Sequence, residues 1–188
     1  MLELQPGDMF CTYNPMWVGR AINFIQRFHS YDDDSKFSHA GIITDKRGTT
    51  FEISWLAKEY NLYERHAGRP LLVARYKNLD KDKFNDIYAQ LKYKYNKQIY
   101  PVWRLFFFLF PPMPKYLSFG KVVCSEFTAL YAHLIGARHK YYMGTDVDRL
   151  ADEFYNWKVY DVIYNDVLLE GKNCDCNQKE NCLCNPAL

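Results

Sequence analysis

Cys124 stands where an apolar approach, Val122-Val123, runs into the helix-forming stretch Ser125-Glu126-Phe127. A thiol at the start of a helix faces free N–H donors and about half a positive charge, which favour the thiolate. Far upstream, Phe37-Ser38-His39-Ala40-Gly41-Ile42-Ile43 places a histidine inside a strand-like run. An imidazole on a rigid strand is suited to take a thiol proton and return it to a leaving group. Together they are the two parts of a cysteine nucleophile, and the chemistry they offer is acyl transfer. The histidine precedes the cysteine in the chain.

The elements that must position them can be read from pattern. Pro6-Gly7-Asp8 is a turn and Met9 to Thr12 a short strand. Asn14-Pro15 opens a helix whose inward stripe is Val18, Ile22, Ile25 and Phe28. Strands are expected over 38–44 and 50–54, joined by the turn Asp45-Lys46-Arg47-Gly48, with another over 71–75 after a polar loop. Asp80 caps a helix carrying Phe84, Ile87, Tyr88, Leu91 and Tyr95. The stretch 99–120 reads as irregular, aromatic and proline-rich. The Cys124 helix should bury Phe127, Leu130, Tyr131 and Leu134, and stop at Gly136. A short helix around Val147, Leu150 and Phe154 and a strand over 159–164 close the domain.

Taken in order, these motifs resemble the permuted papain-like, NlpC-type cysteine amidases and peptidases of the YiiX kind, which are related to LRAT. The matching residues are Gly7-Asp8-Met9-Phe10, Ser38-His39-Ala40-Gly41-Ile42, Phe51-Glu52-Ile53 and Val123-Cys124-Ser125-Glu126-Phe127. Gly144-Thr145-Asp146-Val147-Asp148-Arg149-Leu150 looks like the family's next helix. The resemblance implies an α+β, circularly permuted papain-like fold. In it, an antiparallel sheet packs against a central helix that bears the nucleophile. It further implies Cys124 as nucleophile, His39 as base and Glu52 as the residue that orients the imidazole. Adjacent strands make a contact between His39 and Glu52 feasible.

On this reading residues 1–170 form the catalytic domain and 171–188 a polar, cysteine-bearing tail. The expected activity is that of a cysteine hydrolase working through a thioester, with no cofactor required and a peptide, amide or lipid acyl group as substrate. A thiol acyltransferase or lipase is the alternative within acyl chemistry. Its motive is the apolar run that includes Phe106, Phe107 and Phe108, a candidate wall for an acyl chain or a peripheral membrane contact. It is too short to span a bilayer, which takes about 20 apolar residues. An alternative of another class is an inert metal-binding or interaction protein. Cys174, Cys176, Cys182 and Cys184 form two Cys-x-Cys pairs that could surround one zinc ion.

Bulk composition narrows the field. The 24 Lys and Arg nearly balance 22 Asp and Glu, so no basic stripe argues for nucleic acid. The start, Met1-Leu2-Glu3-Leu4, has neither a basic nor a long apolar region, so a cytoplasmic location is expected. Six cysteines there are more often reduced or metal-bound than paired. Asp32-Asp33-Asp34 reads as a solvated loop, Cys11 as packing, and Glu126 as a charge favouring the helix dipole. His29, His66, His133 and His139 have no motif around them.

Overall fold

A computed structural model describes residues 2–26, 36–104 and 120–168. Six strands carry the architecture: β1 (Met9–Thr12), β2 (His39–Ile43), β3 (Thr49–Ile53), β4 (Ala57–Asn61), β5 (Pro70–Tyr76) and β6 (Tyr160–Val167). They form one sheet in the order β4-β3-β2-β1-β5-β6, every neighbouring pair antiparallel. Among the described residues the helices are α1 (Trp17–Gln26), α2 (Leu62–His66), α3 (Lys81–Tyr95), α4 (Cys124–Leu134) and α5 (Val147–Asn156). This is a mixed α+β fold, as the sequence pattern implies.

Alternation along the strands divides the apolar residues between two faces. Met9, Cys11, Ala40, Ile42, Phe51 and Leu72 point toward the helices, where Phe127 and Tyr131 of α4 meet them. Phe10, Ile43, Leu71 and Val73 point the other way and are covered by Leu62 of α2, Leu4 and Leu168. Helix α4 packs on β2 and β3, with α3 and α5 beside it. It is buried along nearly its whole length, so its position relative to the sheet is fixed. Cys11 is the packing residue expected of it, fully buried in this core.

Turn chemistry matches local sequence. Asp45 Oδ1 accepts from the N–H groups of Arg47 and Thr49, closing the β2–β3 hairpin. Gly136 follows α4 at φ +90°, the left-handed conformation in which glycine ends a helix at no steric cost.

Three expectations are corrected. The polar loop before β5 is in fact β4 and α2. Its start is signalled by Asn61, whose Oδ1 accepts from Tyr63 and Glu64 N–H. Leu134, expected in the core, is 41% exposed beside exposed His133, and the next residue, Ile135, is buried instead. Glu126 does more than complement a dipole: it is fully buried against Arg104. The helix stripe at α1 is seen only through Ile22, which is buried. Asp32, Asp33, Asp34 and Phe28 lie outside the described residues.

Candidate active site

The chain enters α4 through Val123, extended at φ −89° and ψ 172°, so Cys124 is the first helical residue. Valine has no oxygen to cap the helix, and Glu126 supplies the other half of that device. Its Oε2 accepts from Val123 N–H at 3.1 Å, and its Oε1 accepts from Gly144 N–H at 2.8 Å. Arg104 grips the same carboxylate with two nitrogens, one of them donating to Oε1 at 2.8 Å. It also donates to the Lys121 carbonyl at 2.7 Å. The approach to Cys124 is therefore tied down by a buried ion pair rather than by a side-chain cap.

His39 opens β2, and its Nε2–H donates to Glu52 Oε2 at 2.7 Å. Its other ring nitrogen, Nδ1, is left for Cys124, which lies close enough to interact with the ring. The sulfur lines a cleft with His39, Asn14, Ser38, Trp55 and Tyr100. The structure thus brings together the three residues singled out in the sequence, in the linear order Cys124–His39–Glu52.

Burial alone would push the His39 imidazolium pKa down. Hydrogen bonds to Cys124 and Glu52, and the charges on both, outweigh it and raise the pKa to about 9. Glu52 is fully buried, which by itself would raise its pKa; donation from His39 and His66 holds it well below the usual carboxylate range. Glu52 is thus negative and His39 positive at neutral pH, which sets an imidazolium beside Cys124.

Sequence reading gave no role to several residues now found at the site. His66 Nε2–H donates to Glu52 Oε1 at 3.1 Å, and Thr50 Oγ1–H donates to the same oxygen at 2.6 Å. Arg65 Nε lies 3.3 Å from Oε2. The Tyr100 hydroxyl is buried, lies against Cys124 and has no well-formed hydrogen bond among the described residues. Gly41 has a local purpose: a Cβ there would come within 2.7 Å of the Phe10 ring and 3.0 Å of Glu52 Cγ. A side chain there would displace the Phe10 ring and press on Glu52 where it reaches across from β3. The capping pair Asn61 and Glu64 could have revealed α2, and hence His66; nothing around Tyr100 marks it in the sequence.

His39, Glu52 and His66 also form a group whose ligand atoms all lie within 4.8 Å of one another, able to hold a metal ion. Phe106, Phe107 and Phe108, and Cys174, Cys176, Cys182 and Cys184, lie outside the described residues. No helix among the described residues is long and apolar enough to cross a membrane.

No family model matches the chain. The curated proteins give no match either. Among solved structures, the fold is similar to that of the metalloprotein yiiX from Escherichia coli O157:H7. The TM-score is 0.50 at 16% identity, over 90% of each chain. That likeness is one of architecture, and the chain has an α+β fold of the YiiX kind.

Proposed function

We propose that this protein is a cysteine hydrolase of the amidase or peptidase type, built on a circularly permuted papain-like fold. The single observation that carries the reading is the line Cys124–His39–Glu52 at the head of a buried helix and facing a cleft. In this mechanism the Cys124 thiolate attacks a substrate carbonyl carbon, and the bond to the leaving amine or alcohol breaks to give a thioester. His39 Nδ1–H passes its proton to the leaving group. A water then attacks the thioester, His39 takes the water proton, and the acid product leaves with the thiolate restored. Glu52 stays ionised throughout and stabilises the imidazolium.

The developing oxyanion needs donors. The first turn of α4 has N–H groups without intrahelical acceptors, and the Tyr100 hydroxyl, with no other well-formed partner, supplies a second kind of donor. Met16, Ile22 and Trp55 add apolar surface to the cleft, which suits a substrate with an apolar flank. An ester or thioester of a lipid is the variant of the reading that this flank favours.

The reading is tested by labelling with iodoacetamide at neutral pH. Cys124 should react faster than Cys11, whose thiol burial holds well above its ordinary pKa. His39→Ala should slow Cys124 by about 10²-fold, the lower end of what a positioned base contributes. Equal rates at the two cysteines, or indifference to His39, would reject it.

A second reading has one specific support, the His39–Glu52–His66 group together with a structural neighbour described as a metalloprotein. Two imidazoles and a carboxylate are a donor set that zinc accepts. Against it, both Glu52 oxygens already receive hydrogen bonds, and the Arg65 guanidinium 3.3 Å away adds positive charge where a cation would sit. Metal there would also remove His39 and Glu52 from the nucleophile. Under the leading reading, chelator-treated protein keeps full Cys124 reactivity and carries no stoichiometric metal. Stoichiometric zinc lost on His66→Ala would establish the second reading instead.

A further inference from the structure

Glu52 is a fully buried carboxylate, and such a group is tolerated only where its lone pairs are filled. Three hydrogen bonds and one ion pair fill them, two contacts on each oxygen. His39 and Arg65 address Oε2, while Thr50 and His66 address Oε1. Two of the four, Arg65 and His66, are consecutive residues in the last turn of α2. That helix is held beside β3 by β4, whose register runs from Thr49↔Asn61 to Ile53↔Ala57.

The terminal torsion of a glutamate is broad and two-fold, so one donor does not fix the carboxylate plane. Thr50 is on the same strand as Glu52 and cannot restrain it from the far side. His66 does so from another element. Its ring lies 5.8 Å from the His39 ring, centroid to centroid, and Phe10 packs against both. His66 is 2% exposed, and its Nδ1 has no hydrogen-bond partner among the described residues. The ring therefore brings one polar function to the protein interior, the Nε2–H aimed at Glu52.

We infer that His66 is a positioning residue of this site: its Nε2–H fixes the Glu52 carboxylate so that Oε2 holds His39 in line with Cys124. The inference rests on the cysteine-hydrolase reading above. The site is then a line of four side chains, Cys124–His39–Glu52–His66, with α2 as the element that closes it. Its function is geometric, since His66 touches neither substrate nor sulfur.

The test compares two replacements of similar bulk in chelator-treated protein. His66→Gln keeps a donor near the Nε2 position, whereas His66→Met fills the space without one. Cys124 alkylation by iodoacetamide at neutral pH should stay within about threefold of the parent for H66Q. It should fall by about tenfold or more for H66M, tenfold being ~1.4 kcal/mol. The same rate for both variants overturns the inference, because a role in packing alone does not distinguish them. A parent Cys124 no faster than Cys11 would instead overturn the hydrolase reading. Should both variants fail to fold, imidazole nitrogen NMR on the parent protein decides. A proton on His66 Nε2 is expected, and an unprotonated Nε2 overturns the inference.

Discussion

At Glu52, one buried charge joins Cys124 in setting the protonation state of its neighbour. Its negative charge and hydrogen bond help to lift His39 to about 9, against burial that would lower it. Glu52→Gln removes that support, so the imidazolium should lose its proton at lower pH. Under the proposed hydrolase reading, the alkaline fall of kcat/KM against pH should move to lower pH by about a unit, equivalent to ~1.4 kcal/mol. An unmoved limb would separate Glu52 from His39 in function. Tyr100 invites a different measurement. If Tyr100 is the proposed oxyanion donor, Tyr100→Phe should lower kcat by about 10²-fold with KM nearly constant, because such a donor acts only as charge develops. At this scale the sequence was legible where short motifs exist: Cys124 at a helix start, His39 and Glu52 in strands. His66 and Tyr100 were not, because each acts through a contact that no local pattern encodes.

Element α4 depends on a partner outside itself. Arg104, fully buried, ties the segment before the helix to Glu126 in its first turn. Removing one member of a buried ion pair leaves an uncompensated charge and typically costs about 3–5 kcal/mol. Arg104→Met should therefore destabilise the protein by about that amount in urea unfolding, and a second change, Glu126→Gln, should recover much of the loss. Equal stability of the single and double variants would show that the charge on Glu126 is tolerated alone. Elements with strong periodicity or caps, such as α3 behind Asp80, follow directly from sequence. The segment holding β4 and α2 did not, since Lys58 and Glu59 are exposed and obscure the strand pattern, and a five-residue helix is too short for periodicity to register.

Across the whole molecule, pH should act on stability through the same few groups. Glu52 is held low, so its contribution is present above the ordinary carboxyl value of about 4.3 and is lost as pH falls through its folded value. His39 is raised, so its contribution is complete below about 6.5 and is lost as pH rises through about 9. Burial lowers His66, so the unfolded chain takes up a proton that the folded protein refuses as pH falls below about 6.5. Thermal unfolding across pH should accordingly give a maximum near neutrality, with the alkaline decline weakened in His39→Ala. A flat profile would mean that these groups are not coupled to folding.

Strand β1 lies between β2 and β5, in the middle of the sheet. Excising residues 2–12 would thus leave two disconnected half-sheets, β4-β3-β2 and β5-β6, rather than a trimmed domain. A synthetic peptide of that stretch, supplied in trans, should slot between the halves and restore the cleft, much as a keystone completes an arch.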